Sequence, residues 1–372
     1  MSIILNNPVV SVSPHVTQLN NTTSRVMIDV LISLLPVVLV SIFFFGYLVL
    51  VNLVVCCVAC FWSEVIFNSV VHKQSPVWKN VKKSSVFSDH SFAVTACILA
   101  LNLPTVINVW GWNIQDGDSI LFSLDTVILC ILMSVFAIVV VKMLFGGLGR
   151  NFANPAVTSR VFLLLAFTSG MIAVRTNPFF GLNLGLDASS GASWLGLVGE
   201  GTVLNSTTSP KVLFNMFLGN VSSAAVGETS VFAIAIGYVY LVFKKVIDWR
   251  LPLVLIGFTA IFALVFGLAD SRIEYDSVST VIGYTLAHLL SGGLVFGAVF
   301  MATDYSTSPN TFLGACIFAL GIALFTVLIR IFAQWPEGFS FSLLLMNIAT
   351  PMIDRYIYPK PFGYVRPVRS SQ

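Results

Sequence analysis

A chain of 372 residues that is 57% hydrophobic and only 9% charged cannot cover a water-facing surface, where roughly a quarter of residues are normally charged. Its mean hydropathy of +0.92 excludes an ordinary soluble domain. A net charge of +3, carried in short basic clusters between apolar runs, argues against a nucleic-acid partner. The expected fold class is an all-α integral membrane protein of about ten transmembrane helices, with both termini inside and some helices short or broken.

Residues 1–25 are polar and lack the basic stretch and short apolar core of a cleaved signal peptide. Measured against the roughly 20 residues that a span needs, apolar runs follow at Val26–Phe45 and Tyr47–Val70, separated by a tight turn at Gly46. Asp89–Leu103 is short and ends before Pro104; Ile120–Phe145 and Asn154–Met171 complete a first five-helix half, residues 26–171. A segment tinged with polar residues, 172–227, separates it from a second half, 228–354. That half holds Glu228–Phe243, Leu251–Leu268, Thr280–Ala302, Thr311–Phe332 and the short Phe341–Ile353, and a tail, 355–372, closes the chain.

Lys and Arg bias sets orientation. With the N-terminus inside, the inner segments carry Arg25, the Lys73–Lys83 group, Lys142, Arg150, Lys244, Lys245, Arg250 and the basic tail from Arg355 to Arg369. The outer segments carry only Arg175, Lys211, Arg272 and Arg330, so residues 172–227 are expected outside. The six cysteines lie in apolar runs. Cys56, Cys57 and Cys60 read as small core residues, because no second cluster offers the further ligands that a metal needs.

Short or broken helices mark sites inside a membrane protein, since their open ends need ligand, water or neighbours; tilt or local thinning explains them equally well. Intramembrane ionisable residues are functional candidates by default. Asp29, Glu64 and Asp304 lie near enough to the inner surface to be interfacial. Glu228 and His288 are the ion-pathway candidates, with a hydrogen-bonded structural role as the stronger alternative. FGGLGRNFANP, Phe145–Pro155, reads as a structured turn with Asn154 capping a helix that opens on Pro155, and it fits neither nucleotide fingerprint. A fainter echo, Gly292-Gly293-Leu294 through Ser308-Pro309, suggests an old duplication. In the outer segment, DASSGAS (Asp187–Ser193) sets a carboxylate, small residues and a terminal hydroxyl together; by composition alone this is a surface turn.

A series of ordered motifs goes further: SRVMIDVLISLLP (Ser24–Pro36), FGGLGRNFANP, GETSVFAIAIG (Gly227–Gly237), IDWRLP (Ile247–Pro252), FMATDYSTSP (Phe300–Pro309) and WPEGFSFSLLLMNIATPMIDR (Trp335–Arg355). In this series the chain resembles the D subunit of the Rnf ion-translocating electron transport complex. It resembles more distantly the B subunit of the sodium-pumping NADH:quinone reductase, which usually has a longer N-terminal region.

The resemblance implies an electron-transferring subunit with covalent FMN, attached through its phosphate to a hydroxyl in an acidic-x-x-Ser/Thr-Gly-Ala-Thr motif. Asp187, Ser190, Gly191 and Ala192 match it, and Ser193 stands at the attachment position where Thr is usual. It further implies a non-covalent riboflavin, membrane, flavin and iron–sulfur partner subunits, a flavin transferase, and residence in a bacterial inner membrane. Before the third helix the family pattern is Asp-Gly-Ser-Ala, where this chain has Asp89-His90-Ser91-Phe92. No catalytic residue and no metal ligand follows from the sequence. The alternatives are the quinone-reductase B subunit and, in another class, a channel or secondary transporter without redox function.

Overall fold

The structure is a computed structural model and describes residues 9–10, 16–17, 22–72, 89–116, 119–167, 209–219, 225–269, 278–333 and 338–357. Its helices are α1 Thr23–Phe45, α2 Leu48–His72, α3 Ser91–Asn102, α4 Leu124–Val135 with a π-helical continuation Phe136–Met143, α5 Pro155–Ala166 and α6 Pro210–Leu218. After a 3-10 turn, Val226–Glu228, come α7 Val231–Phe243, α8 Arg250–Ala269, α9 Val278–Leu290, α10 Leu294–Phe300, α11 Phe312–Phe332 and α12 Gly338–Tyr356. Two small antiparallel hairpins pair Val9–Val10 with Val16–Thr17 and Asn113–Asp116 with Ser119–Ser123, the second leading directly into α4.

Among the described residues, five helices are long and apolar enough to cross a membrane, and six if the pair α9 and α10, bent by 47° at its break, counts as one span. Their outer faces are apolar as well as their inner ones: Leu39, Val54, Ile236 and Ile348 are exposed, and Phe243 is 85% exposed. Helices hydrophobic all round belong in lipid. The chain is a multi-pass membrane protein.

Local chemistry explains the ends. Thr22 caps α1 by accepting from the Arg25 N–H. Gly46, at φ 76°, lets the chain reverse into α2. Asn154 caps α5 as its sequence predicts, accepting from the N–H groups of Ala156 and Val157. α3 stops because Leu103 precedes Pro104 and takes an extended conformation. The extended chain that follows is buried, and its backbone groups are satisfied by neighbouring side chains, as buried backbone requires. Asn52 Nδ2 donates to Pro104 O and Thr105 O at 3.3 and 3.2 Å, Ile107 N donates to Thr126 Oγ1 at 2.8 Å, and Ser123 Oγ donates to Ile107 O at 3.2 Å.

Several expected boundaries shift. The run beginning at Ile120 starts as a strand, and its helix opens only at Leu124, where Ser123 caps it. Thr280–Ala302 is broken at Ser291–Gly293, and the helix expected from Glu228 begins at Val231. Phe341–Ile353, expected short, is the middle of the 19-residue α12. Beyond that run, Gly338 and buried Ser340 at the start and Asp354 and Arg355 at the end dilute the apolar signal.

α2 packs on α3 and α4, while α8, α9, α11 and α12 form a second cluster; α1 against α7 and α5 against α12 join the two. The starts of α1 and α3 meet through Ser24 Oγ and His90 Nδ1 at 3.0 Å. The starts of α5 and α11 and the ends of α4, α7, α10 and α12 share that face, called here the near end.

Candidate functional site

Two buried polar assemblies lie along the join between the clusters. The first sits at mid-bundle, where α3 ends, α7 begins and α9 gives way to α10. Arg160 on α5 donates through Nη1 to Asn102 Oδ1 at 2.7 Å and also pairs with Glu228 Oε1. The Arg160 and Glu228 side chains are 3% and 2% exposed. Asn102 Nδ2 faces Met301 Sδ at 3.9 Å. Val226 N–H donates to Leu103 O, the residue past the end of α3, and Ser41 Oγ donates to Val226 O at 3.1 Å.

The helix break supplies the other wall. Arg330 on α11 donates from Nη1 to His288 O at 2.7 Å and from Nη2 to Ser291 O at 3.1 Å and Gly292 O at 2.6 Å. It thereby satisfies carbonyls that α9 leaves open at its end. Gly293, at φ 57°, approaches the Glu228 carboxylate so closely that a Cβ there would stand 2.7 Å from Glu228 Cδ. His288 is fully buried with its ring 4.5 Å from that of Tyr284, edge to face. Glu228 and His288 thus sit on two sides of one helix break. Arg160, which takes no part in the charge bias along the sequence, is the residue that holds Glu228.

The second assembly is a cavity at the near end. Met27, Val30, Val94, Ile98, Leu148 and Phe300 give it apolar sides, and Ser91, Lys142, Asn151, Asp304 and Ser306 give it a polar rim. Two turns border it. Gly146, Gly147 and Gly149, all at positive φ, fold the α4–α5 connection over one side, and the Thr303–Ser306 turn after α10 forms the other. Lys142 Nζ donates to Glu64 Oε2 at 2.7 Å and to Ser91 Oγ at 2.8 Å, with the Lys142 and Glu64 side chains 3% and 6% exposed. Burial pushes the Asp304 carboxyl up, while bonds from Ser306 N–H at 3.1 Å and Ser306 Oγ at 2.9 Å pull the other way. Asn151 Oδ1 is buried and has no hydrogen-bond partner among the described residues.

One interfacial expectation and one inner-segment charge change. Glu64 is a buried ion-pair member, and Lys142 is likewise inside the protein rather than in a loop. Asp29 is closer to expectation, accepting from Tyr240 Oη at 2.9 Å with Lys244 Nζ 3.9 Å away. Asp125 is fully buried. The cysteines are free, with Cys56, Cys60, Cys97 and Cys130 buried, and the described residues hold no cluster of His, Cys, Asp or Glu fit for a metal. Asp187, Ser190, Gly191, Ala192, Ser193 and Arg175 lie outside the described residues.

Sequence comparison agrees with the motifs. Residues 9–363 match the model of the NQR2, RnfD, RnfE family. The chain is 35% identical over 361 residues to the D subunit of the Na(+)-translocating ferredoxin:NAD(+) oxidoreductase complex of Acetobacterium woodii, covering 97% of this chain and 96% of that one. It is 32% identical to the proton-translocating counterpart of Clostridium ljungdahlii, covering 95% and 96%. It is 32% identical to the D subunit of the ion-translocating oxidoreductase complex of Actinobacillus succinogenes, covering 95% and 97%. On these grounds the chain belongs to the NQR2, RnfD, RnfE family.

Proposed function

We propose that this chain is the flavin-carrying D subunit of an Rnf-type complex, relaying electrons between ferredoxin and NAD while Na⁺ or H⁺ moves across a bacterial inner membrane. The observation that carries the reading is kinship over almost the whole chain with the D subunits of complexes named for that activity. Those relatives are named for different ions, Na⁺ in one and protons in the other.

In this reading the chain has about ten spans, in two five-helix halves at 26–171 and 228–354, with both termini in the cytoplasm. Arg25, Arg150, Lys244, Lys245, Arg250 and Arg355, all described, belong to helix ends and turns at the near end, which the positive-inside rule makes cytoplasmic. Residues 172–227 then fall outside, with Ser193 as the phosphoester anchor of FMN and Asp187, Ser190, Gly191 and Ala192 completing the motif that a flavin transferase reads. Lys211, exposed on α6, is a cation on that side able to balance the added phosphate charge.

A hydrocarbon core about 30 Å thick is too long for one tunnelling step from a cytoplasmic donor to Ser193. The near-end cavity suits the second, non-covalent flavin. It pairs apolar sides with a polar rim, and Asn151 offers it an unclaimed acceptor. A flavin bound there would supply one-electron chemistry. The chain's part is to exclude water with Met27, Val30 and Phe300 and to fix the ring's edge with Ser91, Asn151 and Ser306. Membrane, flavin and iron–sulfur subunits would cover its apolar flanks. Glu228 and His288, at the helix break, would gate the ion path.

The test is a denaturing gel of the chain produced with its partners and a flavin transferase. A fluorescent band that disappears in Ser193→Ala establishes the anchor. A dark wild-type band beside a labelled partner flavoprotein withdraws it.

A further inference from the structure

One wall of the near-end cavity carries a buried positive charge that packing does not require. Lys142 and Ser91 are both in the wall, whereas Glu64, the lysine's partner at 2.7 Å, stands behind them. The pair is neutral as a whole, but its positive end faces the cavity. Burying two ions costs several kcal/mol each before their attraction is counted, and apolar replacements of buried pairs are often neutral or stabilising. A stability role therefore accounts poorly for it.

The backbone is built to hold the lysine there. Lys142 belongs to the π-helical stretch Phe136–Met143, and Leu144 N–H still bonds back five residues to Val139 O. π-turns inside helices recur at functional sites. This one changes the phase of α4 in its last turns, and Lys142 reaches Ser91 on α3 and Glu64 on α2. Asp304, bound by Ser306, faces the cavity from the α10–α11 turn and is the opposing charge.

We propose that Lys142 is a positioning residue for an electron-accepting flat ring in this cavity, aligning its acceptor-rich edge with Ser91 and raising its reduction potential. The proposal rests on reading the cavity as the second flavin site. A charge a few Å from a ring in a dry site acts strongly on any added electron. A flavin ring bound there would accept one electron from a reduced iron–sulfur centre of a partner subunit. No bond forms or breaks at Lys142, whose Nζ stays held between Glu64 Oε2 and Ser91 Oγ.

The full chain would be produced with its partners, purified in detergent, and its acid-released flavin separated from acid-stable flavin. Thr303→Trp fills the cavity from its rim, and the acid-released flavin should be lost. A folded Thr303→Trp protein that keeps it overturns the cavity reading itself. Lys142→Met with Glu64→Gln removes both charges together, and Lys142→Arg keeps the positive one. At fixed redox-buffer potential, the neutral pair should shift the oxidised-to-reduced ratio of that flavin tenfold toward oxidised, about 59 mV for a one-electron couple. Lys142→Arg should stay near wild type. Flavin lost from the neutral pair but kept by Lys142→Arg supports the same charge role. A neutral pair with an unchanged ratio, or an arginine variant that shifts or loses flavin as the neutral pair does, overturns the proposal while leaving the flavin site standing.

Discussion

Arg160 and Glu228, from opposite halves of the chain, form an ion pair at mid-bundle with both side chains almost wholly buried. Removing one member strands the other charge, which typically costs 3–5 kcal/mol. Arg160→Met or Glu228→Gln is therefore expected to lose about that much stability. The double variant should lose clearly less than the sum of the two. Unfolding of the detergent-solubilised chain, run as a double-mutant cycle, measures the coupling. Strictly additive losses would show that the two residues do not hold each other.

Gly293 should be coupled to the same carboxylate. A methyl at its position meets Glu228, and φ 57° is a left-handed conformation that costs an L-residue about 1–2 kcal/mol. Gly293→Ala is expected to exceed that backbone cost because it also displaces Glu228 from Arg160. In a Glu228→Ala background the cost should fall back toward about 1–2 kcal/mol. An equal penalty in both backgrounds would mean that backbone strain alone sets it.

Asp304 gives a pH signature. Its carboxyl is pushed up in the folded chain by burial, so folding takes up a proton between the unfolded carboxyl value, about 3.9, and the higher folded one. Stability from this group is greatest below the unfolded value and falls as pH rises through that window. Asp304→Asn stays neutral and can still accept from Ser306. The variant should match wild type at pH about 4 and be the more stable at neutral pH, as read from melting temperatures across the range. A gap that widens on acidification would reverse the sign and sink the idea.

How much of this is legible in the sequence differs by element. The ends of α1, α3 and α5 are readable because Gly46, Pro104 and Asn154-Pro155 are local signals with local causes. The extent of α12 is not, since buried Ser340, Ser342 and Asn347 lower its hydropathy while pointing into the protein. Glu228 is recognisable as an acid at membrane depth, but Arg160 lies 68 residues away and only packing brings them together. Lys142 and Glu64, 78 residues apart, look like surface charges in the sequence for the same reason. Asp89-His90-Ser91-Phe92 also gains a physical account only from the structure. His90 holds φ 54°, a left-handed conformation uncommon outside glycine, and Ser24 Oγ is 3.0 Å from its Nδ1. Phe92 packs edge-on against Phe61 at 5.4 Å.

Asp125 is the clearest remaining case of a charge serving backbone. Its Oδ2 accepts from the N–H groups of Val109 at 3.0 Å, Trp110 at 2.7 Å and Gly111 at 3.0 Å. It is fully buried in the first turn of α4, where the helix N-terminus also favours a negative charge. Bonds to a charged group are worth about 1.5–3 kcal/mol each, and unmade buried donors add a penalty. Asp125→Ala should therefore release the 107–112 segment while the α4 helix itself persists under its Ser123 cap. Asp125→Asn, which keeps one acceptor oxygen but not the charge, should fall between. Hydrogen exchange at Val109, Trp110 and Gly111 is the measurement: protection lost there alone supports the staple. Unchanged protection in Asp125→Ala would assign the segment's order to Thr126 and Ser123 instead, which bond Ile107 independently.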